Sequence, residues 1–422
     1  MRNLLPQFLS RCVAVLGSIM VTLVLASGAQ AQTFKVLHDF DVTPGDGNLP
    51  SSSLLADSAG NLYGMTSTGG AHNLGSVYRL SPTGTGSFNE TILYSFKGGS
   101  ADGAFPQGSL VRDSTGNLYG VTSVGGITAT VCNYFAGPGC GVIFKLKPTL
   151  TGQWAESVLH RFTGTDGGNS FAGLVRDSKG NFYGATSAGG SAGLGAVYKL
   201  THTSTGWKET VLHSFTGGTD GAAPFMFETA LTLDGLGNIY GSTYQGGGAA
   251  NAGIVFELIP QTSGAWTEKI LYTFQGGADG SESLCGVILD KSGNVYGTTL
   301  KGGTQIGSGT VFKLTAANGY AKTILHDFSV FTDPAKEAPH TLLFDANGNL
   351  FGTTEYALYK LTPGPNGWSE TVLWVFGNLQ DGGANTVYEP AIMDAQGHFW
   401  GATLWGGPAG ATTGGIAWEF IP

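Results

Sequence analysis

The sequence predicts an all-β fold: a seven-bladed β-propeller of four-stranded antiparallel blades, closed by the N-terminal strand. Two observations support this prediction. A short motif recurs seven times at a nearly constant spacing, and one strand of the repeat is missing at the end of the chain but present at its beginning. Composition agrees, because 70 glycines and only 12% charged residues are typical of short apolar strands joined by tight turns.

The recurring motif is "DSTGNLYGVT" with close variants. Its aspartates are separated by 56, 64, 57, 56, 55 and 49 residues, a period that suits four short strands. We predict that each aspartate accepts backbone N–H groups in a tight turn between the first two strands. The predicted turn residues are Asp57, Asp113, Asp177, Asp234, Asp290, Asp345 and Asp394.

Three further segments repeat around the motif, so each unit contains strands A ("SLVRD"), B ("NLYGVT"), C ("VIFKL") and D ("ESVLHRF"). The last unit ends after strand C at Pro422, and "FKVLHDF", ending at Phe40, supplies its missing strand D. This displacement closes the ring and removes an exposed sheet edge. In strand B, we expect the aromatic residue to pack between blades and the glycine after it to leave room for a neighbouring backbone.

The N-terminal segment, residues 1–31, is predicted to be a signal peptide. It combines early positive charge with a short apolar run and an A-x-A site formed by Ala29 and Ala31, so we expect cleavage before Gln32. Residues 32–422 then form a single propeller domain. We expect a secreted or periplasmic monomer with no membrane span in the mature chain.

Charge and cysteine usage restrict the partners. A net charge of −9 and a pI of about 5.3 argue against nucleic acid as a partner. Cys132 and Cys140 bracket the short segment "NYFAGPG" and are predicted to form a disulfide in an oxidising compartment. Cys285 is expected to be a buried apolar residue.

The complete pattern, "D-x-x-G-N-L-Y-G-x-T-x-x-G-G" followed by "V-F-K-L" and "E-x-x-L-x-x-F", resembles the GloVer-type tandem repeat of bacterial exported proteins with a choice of C-terminal anchors. It is more distantly similar to the propeller repeats in the sensor regions of two-component regulators. The resemblance covers residues 33–422. It implies a secreted or surface propeller with no assigned enzymatic activity.

The histidines and aspartates follow the repeat, which leaves no surplus catalytic group. Four of the eight histidines occupy one repeated position of strand D, where other blades have tyrosine or tryptophan. We interpret that position as core or rim packing, and no two histidines have the spacing of a zinc site on one element. The sequence therefore predicts no catalytic residue, no metal ion and no cofactor.

Ligand binding is predicted on the face of the disc that carries the B–C and D–A connections, because loops on a rigid scaffold commonly hold function. The ligand would be extracellular, either a glycan or a protein. The insertion in blade 2 and the glutamates before strand A are the candidate contacts: Tyr134, Phe135, Glu228, Glu282, Glu337 and Glu389. In blade 6, a shortened B–C connection predicts a notch beside Glu337 and Glu355.

Two other functions fit the same residues. The glutamates could act as paired carboxylates in a polysaccharide hydrolase or lyase. The protein could also have a purely structural or adhesive role at the cell surface, since turn aspartates and rim glutamates are commonly solvated.

Overall fold

The computed structural model describes seven antiparallel sheets arranged as the blades of a β-propeller, as the sequence predicts. In the described part, helix is limited to three single turns of 3-10 helix, Thr130–Cys132, Gly277–Asp279 and Ala316–Asn318. No helix among the described residues is long and apolar enough to span a membrane. The described residues are 32–132, 137–224, 230–304, 307–333, 335–336, 339–377, 390–408 and 414–422.

Every blade has the strand order A-B-C-D. From blade 1 to blade 7, strand A comprises Leu55–Ala56, Gly103–Arg112, Val175–Arg176, Thr232–Leu233, Ile288–Leu289, Leu342–Phe344 and Ile392–Met393. Strand B comprises Leu62–Gly69, Leu118–Gly125, Phe182–Thr186, Ile239–Ser242, Val295–Thr299, Leu350–Thr353 and Phe399–Thr403. An extra short strand, Gly47–Pro50, precedes strand A of blade 1 and pairs with strand B, and a two-residue pair, Gly221–Ala222 with Gln245–Gly246, extends blade 4.

Strands C and D are longer and more regular. Strand C comprises Ser76–Pro82, Val142–Pro148, Ala196–Thr203, Ile254–Pro260, Thr310–Thr315, Ala357–Gly364 and Ile416–Ile421. Strand D comprises Phe88–Ser95, Trp154–Arg161, Gly206–Ser214, Trp266–Thr273, Ala321–Asp327, Gly367–Val375 and, for blade 7, Thr33–Asp39.

The N-terminal strand completes blade 7. It pairs antiparallel with the C-terminal strand, in a register that places Thr33 opposite Ile421 and Asp39 opposite Ile416. The predicted closure is therefore confirmed. The first and last strands of the described chain belong to one sheet, so unfolding either terminus opens the whole ring.

The repeated aspartate organises the A–B turn. In blade 2, Oδ1 of Asp113 accepts the backbone N–H groups of Thr115 and Asn117 at 2.9 and 3.0 Å, and Oδ2 accepts the Tyr119 hydroxyl at 3.0 Å. The same carboxylate therefore fixes the turn and the aromatic residue of strand B. Gly116 takes a φ of 85° in this turn, a conformation that favours glycine.

The glycine of strand B makes room for an aromatic ring of strand C in its own blade. A Cβ on Gly297 would lie 2.6 Å from the ring of Phe312, and a Cβ on Gly241 would lie 2.6 Å from the ring of Phe256. The expected close approach of a neighbouring backbone is found at Gly352, where a Cβ would lie 2.8 Å from the Thr341 carbonyl oxygen, but not at Gly297 or Gly241. The ring needs the space because it fills the core of the blade, where Phe312 and Phe256 are fully buried.

Adjacent blades interlock through aromatic rings. The phenylalanine that follows strand D packs against the aromatic residue of strand C in the next blade, with ring centroids 4.9–5.5 Å apart and the rings steeply inclined to one another. The pairs are Phe40–Tyr78, Phe96–Phe144, Phe162–Tyr198, Phe215–Phe256, Phe274–Phe312, Phe328–Tyr359 and Phe376–Trp418. This contact links the ring at all seven blade junctions.

Each strand D carries a β-bulge at one leucine. In blade 7 the register passes from Val36 to His38, which leaves Leu37 as the extra residue. The register shifts at the equivalent place in the other C–D pairs. A bulge turns the following side chain away from strict alternation. It therefore lets strand D bury Leu37 and direct His38 toward the neighbouring blade.

Candidate functional site

We call the surface formed by the B–C and D–A connections the loop face. Five D–A residues have a φ between 48° and 59° and donate their backbone N–H to a carbonyl of the preceding blade at 2.8–3.1 Å. These residues are Leu49, Phe105, Asn169, Ala223 and Glu282. Because the backbone is fixed and the side chains differ, this position can change its chemistry without changing the fold.

The side chains at the end of strand B divide the loop face into two halves. Blades 1–3 have a buried serine followed by a small residue: Ser67-Thr68, Ser123-Val124 and Ser187-Ala188. Each serine hydroxyl donates to the carbonyl of the D–A residue in its own blade, at 2.8–3.2 Å. In blades 1–3, these serine hydroxyls are therefore already hydrogen-bonded within their own blade.

Blades 4–7 carry larger side chains at the same two positions, with at least one aromatic, charged or amide group in each blade. They are Tyr244-Gln245, Leu300-Lys301, Glu355-Tyr356 and Leu404-Trp405. All of these residues are at least partly accessible, and 44% of the Trp405 surface is exposed. We call these eight residues, together with Glu282, the blade 4–7 patch.

Glu282 is the best-defined member of the patch. Its Oε2 accepts a hydrogen bond from the Tyr244 hydroxyl at 3.0 Å, and its Oε1 accepts one from Nζ of Lys301 at 2.9 Å. The Glu282 hydrogen bond and charge raise the pKa of Lys301, which favours the charged form of the lysine. Residues of two adjacent blades therefore form a preorganised polar triad on the loop face.

Blade 6 contributes a second feature of the patch. Its B–C connection is the short segment between Thr353 and Ala357, and Nζ of Lys336 lies 4.2 Å from the centre of the Tyr356 ring. A lysine at this distance is held by a cation–π interaction. The tight connection predicted for blade 6 is present.

Of the six predicted ligand contacts, only Glu282 falls among the described residues. Tyr134, Phe135, Glu228, Glu337 and Glu389 lie outside them. Cys132 and Cys140 are joined by a disulfide and are buried in a core shared by blades 2 and 3. Cys285 is free and buried.

Polar side chains also meet between the outer strands of adjacent blades. At four junctions, a histidine of strand D and an aspartate of the following loop face a glutamate of strand D in the next blade. Within each group, one ligand atom per residue lies within 4.8 Å of the others. The groups are His38–Asp46–Glu90, His160–Asp166–Glu209, His213–Asp220–Glu268 and His326–Asp333–Glu370.

The glutamates of these groups are strongly perturbed. Burial, assisted by the charge of the neighbouring aspartate, raises the pKa of Glu90, Glu209, Glu268 and Glu370 to about 7. In each of them, Oε1 is buried and accepts no hydrogen bond. Such a group favours a proton or another cation beside it.

The other three junctions replace members of the group. Tyr94 donates its hydroxyl to Asp102 at 2.8 Å beside Glu156, whose pKa burial also raises to about 7. Lys322 takes the place of the glutamate next to Tyr272 and Asp279, with Nζ 3.1 Å from the carboxylate. At the last junction the ring of Phe34 stacks on Trp374.

A groove on the opposite face, where the A–B turns lie, is a rival site. It has a volume of about 540 Å³ and is lined by turn residues of blades 3 and 4, including Lys179 and Leu236, with Trp266. The turns that form it also occur elsewhere in the ring. It is therefore less distinctive than the blade 4–7 patch, although its two lysines could contact an acidic ligand.

Comparison with protein families identifies the repeat. The family model of the Gloeobacter/Verrucomicrobia repeat matches residues 23–134 and 129–357, which together are most of the chain. The chain belongs to this family. No curated protein matches the sequence.

Solved structures similar to this Gloeobacter/Verrucomicrobia repeat protein share its fold. Virginiamycin B lyase from Staphylococcus aureus has a TM-score of 0.53 at 14% identity, over 93% of this chain and 99% of the lyase. The extracellular domain of a one component system from B. thetaiotaomicron has a TM-score of 0.55 at 12% identity, over 91% of this chain and 39% of that one. The extracellular domain of a hybrid two component system from the same organism has a TM-score of 0.53 at 13% identity, over 92% of this chain and 41% of that one. At these identities only the fold is shared.

Two features of this family member were not anticipated from its sequence. The His–Asp–Glu groups were missed because the third residue comes from the next blade, about 50 positions away, whereas the histidines were considered within their own strand. The blade 4–7 patch was predicted only in part: Glu282 and Glu355 were singled out, but the aromatic, leucine, glutamine and lysine residues beside them were not. Aligning the seven units at the two positions after strand B would have found it.

Proposed function

We propose that this protein is an exported, non-catalytic binding module that recognises an extracellular glycan through the blade 4–7 patch. One observation supports this above others: the D–A position keeps one backbone geometry in blades 1–5, while the two side chains at the end of strand B are small in blades 1–3 and large in blades 4–7. A purely structural ring would have no need for that asymmetry.

The chemistry of the patch suits a carbohydrate. Tyr244, Tyr356 and Trp405 offer aromatic surface for sugar rings, and Gln245 and Lys301 offer hydrogen-bond donors to hydroxyl groups. Glu282 is held by two donors before any ligand arrives, which lowers the entropy lost on binding. A protein ligand would need a larger apolar centre than these residues provide.

The role of Glu282 supports binding over hydrolysis. A general acid must carry a proton near the working pH. Both oxygens of Glu282 already accept hydrogen bonds, one from the Tyr244 hydroxyl and one from Nζ of Lys301, so the carboxyl group is poorly placed to donate a proton to a ligand. Export is supported by the buried Cys132–Cys140 disulfide, since disulfides persist mainly in oxidising compartments.

A polysaccharide and oligosaccharide array tests the proposal. The untagged protein should retain a defined glycan class, and Lys301→Met should weaken retention about tenfold, equivalent to ~1.4 kcal/mol. Lys179→Met is the matched control, because it removes the same charge in the groove on the opposite face. If Lys179→Met abolishes retention and Lys301→Met does not, the site lies on the turn face and the proposal is wrong.

A further inference from the structure

The His–Asp–Glu groups between blades form a set of sites separate from the loop-face patch. Two members come from one blade and the third from strand D of the next. In the group between blades 3 and 4, Nε2 of His213 lies 3.3 Å from Oδ1 of Asp220 and 3.7 Å from Oε1 of Glu268. Only 15–20% of each of these three side chains is exposed, so the group is largely shielded from solvent.

The charges in each group are unbalanced. Each group brings two carboxyl groups together in a poorly solvated place, where they repel one another unless a proton or a metal cation lies beside them. One nitrogen and two carboxylate oxygens at these separations are a common ligand set for zinc and other divalent transition metals. A divalent cation would neutralise both charges.

The group between blades 7 and 1 contains an unpartnered atom that points to a cation. Only 1% of the Asp46 side chain is exposed. Its Oδ1 accepts the Gly47 N–H at 2.7 Å and faces His38, whereas Oδ2 is buried and accepts no hydrogen bond. Oε1 of Glu90 is likewise buried without a hydrogen-bond donor. Two carboxyl groups in one buried group, each with an oxygen that no donor reaches, are stable only with a proton or a metal cation between them.

Another junction contains a cation of its own. At the position of the glutamate, blade 5 has Lys322, whose side chain is only 5% exposed. Its Nζ lies 3.1 Å from Oδ1 of Asp279 and donates to the backbone carbonyl of the same residue. In this junction, which lacks the glutamate, the ammonium group of Lys322 thus lies beside the aspartate.

We propose that the four His–Asp–Glu groups are binding sites for divalent transition-metal ions, with Zn²⁺ as the ion that best fits the ligands. The histidine supplies Nε2, and the aspartate and glutamate supply one oxygen each. Bound ions tie the outer strands of adjacent blades together and stabilise the closed ring. This proposal revises the expectation that the protein has no metal site, and it is independent of what the loop face binds.

Metal content tests the proposal on the untagged protein. After removal of metals with a chelator, the protein is equilibrated with Zn²⁺, and the bound ion is counted by elemental analysis and calorimetry. We expect about four ions per chain, one for each group. His213→Gln and Glu268→Gln should each reduce the count to about three. His398→Gln is the control, because Nδ1 of His398 lies 3.5 Å from Asp394 in an A–B turn without a third ligand.

A gain-of-site variant keeps the test decisive if a loss variant folds poorly. Tyr272→His combined with Lys322→Glu builds a fifth group around Asp279, so the count should rise by about one. No bound Zn²⁺ in the wild-type protein, or a count unchanged in both the loss and the gain variants, would overturn the proposal. A thermal stability that responds to pH but not to Zn²⁺ would also overturn it and assign a proton to each group.

Discussion

The ring of Phe34 lies nearly parallel to the ring of Trp374, with centroids 4.7 Å apart and planes inclined by 7°. This stack occupies the junction between blades 6 and 7, the position at which other junctions have a tyrosine or histidine facing a glutamate or lysine. Phe34 belongs to the strand that closes the ring. Among the described residues, this junction therefore has two aromatic rings where the others have polar groups, and the rings gain stacking and burial without desolvating a charge of their own.

Loss of the stack should destabilise the closed ring. Phe34→Ala removes contacts with Trp374, Phe376 and Trp418, and we expect it to lower the free energy of unfolding by about 2 kcal/mol because the ring is only partly buried. Lys35→Ala, on the exposed side of the same strand, should change it by less than about 0.5 kcal/mol. Equal effects of the two changes in chemical denaturation would argue against the stack as a closing contact.

The strand B glycine should not tolerate a methyl group. Gly297→Ala places a Cβ 2.6 Å from the Phe312 ring, so either the ring or the strand must move. We expect a loss of about 1–3 kcal/mol in stability. Gly235→Ala, with no atom within 4 Å of the added Cβ, is the control and should have little effect. A neutral Gly297→Ala in thermal unfolding would contradict the packing described for strand C.

The A–B turns should make stability fall in acid. Burial alone would raise the pKa of Asp113, but hydrogen bonds from Asn117, Thr115 and Tyr119 outweigh it and lower the pKa below its usual value. A carboxylate with a lowered pKa stabilises the fold above its unfolded pKa of about 3.9, and this stabilisation is lost as the pH falls further. Asp113→Asn should therefore cost about 1 kcal/mol at pH 7 and less at pH 3.

The comparison needs an aspartate outside the turns. Asp41→Asn changes an exposed residue that belongs to no repeated turn, and we expect it to have little effect at either pH. Urea unfolding at pH 3 and pH 7 measures both variants. If the cost of Asp113→Asn is the same at the two values, the carboxylate charge is not what stabilises the turn.

Glu156 should destabilise the protein at alkaline pH. Burial and the charge of Asp102 raise the pKa of Glu156 to about 7, so the folded chain holds a proton that the unfolded chain releases near pH 4.3. Stability then falls as the pH rises between these values. Glu156→Gln should stabilise the fold by about 1 kcal/mol at pH 8, after allowance for solvent screening, and should be nearly neutral at pH 4. Melting temperatures of both proteins across this pH range check the prediction. If the charged form of Glu156 stabilised the fold, Glu156→Gln would instead lower the melting temperature at pH 8.

The sequence was sufficient for the parts of the fold that depend on local pattern. The seven turn motifs and the displaced N-terminal strand determine the number of blades and the closure of the ring. Each can be recognised from a short stretch of sequence, without knowledge of contacts between blades. The bulge at Leu37 was not predictable in this way. It depends on how strand D must twist to bury Leu37 and still present His38 to the next blade.

The candidate site was harder to predict from the sequence, because it depends on contacts between residues of different blades. Glu282 was singled out from its sequence position, but its partners Tyr244 and Lys301 could be recognised only once blades 4 and 5 were placed side by side. The same holds for Glu90, which meets His38 from the opposite side of a junction. Repeats reveal what the units share. The proposed glycan site depends on where the units differ and which units touch.

We propose that the loop face binds a glycan without altering it. The most direct measurement incubates the protein with the glycan class found on the array and records both the retained amount and the chain-length distribution of the glycan. We predict retention that Lys301→Met weakens about tenfold, with every glycan recovered at its original length. Shortened or unsaturated products that disappear in Glu282→Gln would contradict the claim and identify an enzyme.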